Sequence, residues 1–227
     1  MIIYAISDLD TFQQPAEKFA ELIKGMEEPD LLLFAGDMYE FGTPEEYIKI
    51  LNKIKWKCPI IAVFGNREFP EEQNEIKKYC KGRITFLEDE TKIIKDLGIV
   101  GSRGCLDYAM FFQISDMLFT DNYYEVKLER IKKLLSELKT KHKLLLTHFA
   151  PTYKTLTGES KEIYPGLGSK KLEKIMKDTG VTFAIHGHAH YGKHMAFVGK
   201  IPVYNVSYQI KKAITVIDTD KLPKRKF

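Results

Sequence analysis

The chain has 227 residues and carries 35 Lys and Arg against 31 Asp and Glu, a net charge of +4. Its 44% hydrophobic and 29% charged content is that of a soluble globular chain, and no apolar run approaches the roughly 18 residues of a membrane-spanning helix. The three cysteines, Cys58, Cys80 and Cys105, form no C-x-x-C pair, which points to a reducing, cytoplasmic setting and away from a cysteine metal site.

Met1 to Asp8 has no basic leader and reads as a first buried strand over 2–6. Apolar residues at helical spacing (Ala16, Phe19, Ala20, Ile23) predict a helix from Pro15 to Glu28. A second strand covers Leu31–Ala35 and stops at Gly36-Asp37. Thr43, Pro44 and Glu46 form a capping-box start for a helix running to Lys55. Ile60–Phe64 is a third strand, ending at Gly65-Asn66-Arg67-Glu68. A helix over Pro70–Tyr79 and a strand over Ile84–Leu87 follow.

Strands apolar throughout and alternating with amphipathic helices predict a sheet covered on both faces. A hairpin is expected around Asp96-Leu97-Gly98. The segment from Cys105 to Asn122, rich in Tyr, Phe and Met, reads as an active-site loop or short helix. Tyr123–Lys139 predicts a helix, and Lys143–Leu146 a strand stopping at Thr147-His148. Ser169 caps a helix to Asp178. Val181–Ile185 is the next strand, and a short-strand meander (Ala196–Val198, Val203–Val206, Ala213–Ile217) finishes the chain. No repeat or linker divides residues 1–227, so a single domain is expected. The basic tail from Lys221 to Lys226 reads as a solvated terminus, too small for a nucleic-acid footprint.

Half of the six histidines sit in one turn, His186-Gly187-His188-Ala189-His190. Imidazoles at a strand end can face one small volume and bind a transition metal. Asp8, Asp10, Asp37, Asn66 and His148 also follow strands, where ligands bind in sheets of this kind. Carboxylates, an amide oxygen and imidazoles can together hold two divalent ions about 4 Å apart, a clamp for phosphate.

The series Asp8-x-Asp10, Gly36-Asp37, Gly65-Asn66-Arg67-Glu68, Thr147-His148 and Gly187-His188-Ala189-His190 resembles the calcineurin-like metallophosphoesterase superfamily, in order and placement, from residue 3 to about 207. The resemblance implies an α/β fold, a four-layer αββα sandwich of two mixed β-sheets. It implies a metal-dependent phosphohydrolase acting on a small phosphomonoester or phosphodiester by attack of a metal-bridging hydroxide. By the same resemblance Asp37 bridges the two metals. Asp8, Asp10 and His190 bind the first, and Asn66, His148 and His188 the second. His186 precedes the motif and is expected to orient a neighbour.

Two positions depart from the family. Asp10 stands where His is usual. Its hard oxygen favours Mn²⁺ first, with iron, Mg²⁺, Ni²⁺ or Zn²⁺ as the other candidates. Arg67 also replaces a His. Arg grips phosphate in a bidentate fork but is a poor proton donor, so Arg67 is expected to bind substrate phosphate. Gly65-Asn66-Arg67 followed by the acidic Glu68 and Phe69 is also similar to the bacterial enzymes that cleave the pyrophosphate of a UDP-linked lipid A precursor. A non-catalytic scaffold on the same fold is the other alternative.

Overall fold

The computed structural model describes residues 1–9, 14–39, 44–109 and 122–225. In chain order the first half contains β1 (Ile2–Ile6), α1 (Pro15–Ile23), β2 (Leu31–Phe34), α2 (Glu45–Lys53), β3 (Ile60–Ala62), α3 (Pro70–Tyr79), β4 (Thr85–Phe86), β5 (Glu90–Ile94) and β6 (Leu97–Ser102). The second half contains α4 (Tyr123–Glu137), β7 (His142–Thr147), α5 (Tyr164–Leu167), α6 (Leu172–Asp178), β8 (Phe183–His186), β9 (Met195–Val198), β10 (Ile201–Asn205), α7 (Tyr208–Lys211) and β11 (Thr215–Asp218).

These strands form two mixed sheets, ordered β11-β1-β2-β3-β4 and β5-β6-β7-β8-β10-β9. The pleat explains why the central strands carry unbroken apolar runs. On β1, Ile3 and Ala5 point between the sheets while Tyr4 and Ile6 point to the helix layer of α1, α2 and α3. On β7, Leu144 and Leu146 face the first sheet and Leu145 faces the layer of α4 and α6. Each face is therefore buried, and burying each large side chain contributes roughly 1.5–3 kcal/mol. The layers run helix, sheet, sheet, helix, the expected αββα sandwich.

The first sheet is covered on both faces as expected, by helices on one and by the second sheet on the other. Two expectations are corrected. The final strands are not one meander. β9 and β10 pair in the second sheet, while β11 crosses to the first and runs antiparallel to β1. α1 stops at Ile23, ahead of Gly25 at φ +76°, and does not reach Glu28. The predicted cap Thr43, the ligand candidate Asp10 and positions 110–121 of the proposed active-site loop lie outside the described residues. Among those described, no helix is long and apolar enough to cross a membrane.

β1, β2 and β3 are parallel, as are β6, β7, β8 and β10, so their carboxyl ends gather in two groups. Backbone bonds pin the residues just past those ends, between the two groups at Ser7 and within each group at Asp8 and Gly187. The Ser7 N–H donates to Val206 O at 3.2 Å, and the Asp8 N–H to Gly36 O at 3.1 Å. The Gly187 N–H donates to His148 O at 3.1 Å.

Candidate metal centre

Asp8, Asp37, Asn66, His148, His188 and His190 meet at this seam. Asp37, His148 and His188 offer ligand atoms that all lie within 4.8 Å of one another. His148 Nε2 is 2.9 Å from Asn66 Oδ1 and 3.3 Å from Asp37 Oδ2. His190 Nε2 is 3.2 Å from Asp8 Oδ1, and the His188 N–H donates to both Asp8 oxygens at 3.1 and 3.2 Å. Asp8 and His148 are fully buried.

The backbone is bent to make this possible. Asp8, Asp37 and His188 have φ of 59°, 53° and 68°, the left-handed region that non-glycine residues rarely adopt. Such residues turn a side chain sharply off the end of a strand, and they persist only where the surroundings enforce them. Gly36 (φ +89°) and Gly65 leave the space. A Cβ on Gly36 would stand 2.6 Å from His148 Nδ1, and one on Gly65 would fall inside the Asp37 carboxylate.

The electrostatics call for a cation. His148 Nδ1 faces the Ala35 carbonyl at 2.8 Å and donates to it. A neutral ring then directs its Nε2 lone pair at the oxygens of Asn66 and Asp37, which is repulsive unless a proton or a metal intervenes. Burial pulls the His148 pKa down, yet the Asp37 carboxylate, with Asp8 behind it, holds it up at about 9. Burial also raises Asp8 and Asp37, but the neighbouring histidines outweigh it and both carboxyls end below their usual range. His188 is pushed down to about 3 by burial and by His148. Its Nε2 is buried without a hydrogen-bond partner, a costly state for a ring nitrogen unless it ligates. Carboxylates, an amide oxygen and imidazoles are a donor set suited to divalent first-row ions, and these residues fit them.

Other side chains brace the arrangement. His186 is fully buried. Its Nδ1 bonds the Gly187 carbonyl at 2.7 Å and its Nε2 bonds Thr155 Oγ1 at 2.9 Å. Burial lowers its pKa to about 4, so it stays neutral. Arg67 is half-buried, and its backbone N–H donates to Asp37 Oδ1 at 2.8 Å.

Two supporting residues escaped the sequence reading. Glu68 is fully buried and accepts the backbone N–H groups of Asp37, Met38 and Gly65 at 3.0, 2.8 and 2.7 Å. Burial, with Asp37 nearby, raises its pKa to about 7. Asn205, also fully buried, donates from Nδ2 to Ala189 O at 2.7 Å, between His188 and His190. The only signal in the sequence was a carboxylate and an amide beside strand ends.

Comparison with protein families matches the calcineurin-like phosphoesterases over residues 1–192. The chain belongs to that family. An uncharacterized protein of Methanocaldococcus jannaschii is 26% identical over 200 residues, 83% of this chain and 85% of that one. The "Probable cyclic nucleotide phosphodiesterase" of a Synechococcus species is 32% identical over 165 residues, 71% of this chain but only 58% of that protein. Among solved structures, the phosphopantetheinyl hydrolase of Mycobacterium tuberculosis superposes with a TM-score of 0.68 at 18% identity, covering 92% of this chain and 90% of that one. At that identity the likeness speaks for the calcineurin-like phosphoesterase fold alone.

Proposed function

We propose that the chain, as one catalytic domain, is a metal-dependent phosphohydrolase acting on a small phosphomonoester or phosphodiester. The observation that carries this reading is the buried, unpartnered His188 Nε2 beside Asp37 and His148. Asp8 and His190 would hold one divalent ion, Asn66, His148 and His188 a second, and Asp37 both. Mn²⁺ is our first choice for an oxygen-rich set. When bound, such ions supply Lewis acidity toward phosphate and a water made nucleophilic near neutral pH.

The protein's own groups do the rest. The bends at Asp8, Asp37 and His188 aim the ligands at one volume. Glu68 and Asn205 hold the backbone on either side. Arg67, next to Asn66, grips a non-reacting phosphate oxygen and orients the ester. The free cysteines Cys58, Cys80 and Cys105 suit a reducing, cytoplasmic setting.

The test is hydrolysis of p-nitrophenyl phosphate and bis-p-nitrophenyl phosphate by metal-stripped protein with Mn²⁺, Mg²⁺, Ni²⁺ or Zn²⁺ added back. Metal-dependent turnover supports the reading, and the better substrate separates monoesterase from diesterase. No turnover and no bound metal would leave a scaffold on the same fold.

A further inference from the structure

A second cleft lies away from the metal centre. It lies at the opposite pole, where the chain enters β3 and β4. Trp56 to Ile61 and Gly82 to Thr85 form its walls, and Lys92 and Ile94 of β5 close it from the second sheet. β3 and β4 run parallel, and the ligand candidate Asn66 follows the far end of β3, so the length of a strand separates the two sites. The cleft measures about 490 Å³. That is within the range of small-molecule sites, roughly 300–1,000 Å³.

Its charge is one-sided. Lys57, Arg83 and Lys92 line it, and no carboxylate does. None of the three is ion-paired among the described residues. Lysines elsewhere do pair, Lys53 with Glu17 and Lys95 with Asp30. Two acids, Glu28 and Asp30, act on Cys58 of the cleft without lining it. Glu28 accepts the backbone N–H of Lys57, and Asp30 accepts the Ile2 N–H and the Lys95 ammonium. The Arg83 guanidinium donates to neutral oxygens only, to Asn52 Oδ1 at 2.8 Å and Leu51 O at 2.5 Å. Those bonds hold the fork still and leave its charge uncompensated. An arginine fixed in advance loses little freedom when an oxyanion arrives. The remaining wall is apolar, with Trp56, Cys58, Ile60, Ile84 and Ile94.

We propose that this cleft binds a small phosphate-bearing molecule, with its phosphate on Arg83, Lys57 and Lys92 and its organic part against Trp56. The site is concave and confined to one end of the sandwich, which fits a small molecule better than the long basic stripe that a nucleic acid requires. The inference stands apart from the chemistry proposed for the metal centre.

Trp56 is the sole tryptophan of the chain, so intrinsic fluorescence reports on this cleft. AMP and pyrophosphate would be titrated into metal-stripped protein carrying Asp37→Ala, so that neither hydrolysis nor metal-bound phosphate contributes. Calorimetry would run in parallel. The expected result is saturable one-to-one binding of at least one probe, weakened by at least about tenfold in Arg83→Met and in Lys92→Glu. Arg83 also ties down Leu51, so its variant can lose stability. Lys92 is exposed on an edge strand, and Lys92→Glu keeps the test decisive. Neither heat nor fluorescence change at millimolar probe overturns the proposal. So does binding that both variants leave intact.

Discussion

His148 Nε2 stands 3.3 Å from Asp37 Oδ2, joining the carboxyl end of a strand in one sheet to that of a strand in the other. The sandwich is therefore locked at the point where its chemistry would occur. Replacing Asp37 by Ala removes a ligand expected to serve both ions and leaves His148 without its charge partner. Metal-dependent turnover of either p-nitrophenyl substrate should fall by at least about a thousandfold, several kcal/mol of barrier. Steady-state assays at saturating Mn²⁺ check this.

Metal should also stabilise the fold, because the donors gather only in the folded chain. At a free Mn²⁺ concentration a hundred times the Kd, the gain is about 2.7 kcal/mol. Differential scanning fluorimetry with and without chelator should show the melting temperature rise with Mn²⁺. In His188→Ala most of that rise should disappear. An unchanged rise in the variant would remove His188 from the ligand set.

Gly65→Ala tests the packing behind Asp37. The added methyl would fall within the carboxylate, so Asp37 or the 65–68 turn must shift. Overpacking of this kind costs roughly 1–3 kcal/mol. The variant should melt lower and lose most of its metal affinity, as read by calorimetry. Gly25→Ala, where a Cβ meets nothing within 4 Å but φ is +76°, separates the effect of crowding from that of backbone strain.

Arg67 is proposed to hold phosphate without moving a proton. Arg67→Ala should raise KM by about tenfold or more while kcat falls much less, the pattern of lost uniform binding. A kcat loss as large as that of Asp37→Ala would instead place Arg67 in the reacting step.

The Cys58 thiol is pushed up to about 11 by burial, with the Glu28 carboxylate adding to it. A raised thiol pKa means less thiolate. At pH 8 about one thiol in a thousand is ionised. Alkylation of Cys58 by iodoacetamide, followed by mass spectrometry, should be slow at pH 8. It should accelerate about tenfold per pH unit up to about pH 10 and level off near 11.

What the sequence disclosed follows from which physics is local. Continuous apolar runs bounded by Gly-Asp, Gly-Asn or Thr-His mark strands buried on both faces and the polar residues at their ends. Asp8, Asp37, Asn66, His148, His188 and His190 were legible on that basis, and the structure brings them together. Sheet membership was not legible. Val203 to Val206 and Thr215 to Ile217 look alike as short apolar stretches, yet β10 and β11 enter different sheets, a choice made by long-range pairing with β8 and β1. Glu68 was hidden for a related reason. Its role as a buried acceptor depends on Asp37 and Met38, some thirty residues away.

The left-handed bends at Asp8, Asp37 and His188 limit how this centre can be rebuilt. Each position asks two things of its residue, a donor atom and tolerance of positive φ. Valine or isoleucine would fail both demands, and even alanine carries a conformational cost besides the missing ligand. Asparagine meets the backbone demand while removing the charge. For tuning charge at Asp8 or Asp37, Asp→Asn isolates electrostatics from geometry, whereas alanine at these three positions mixes the two and overstates what each ligand contributes.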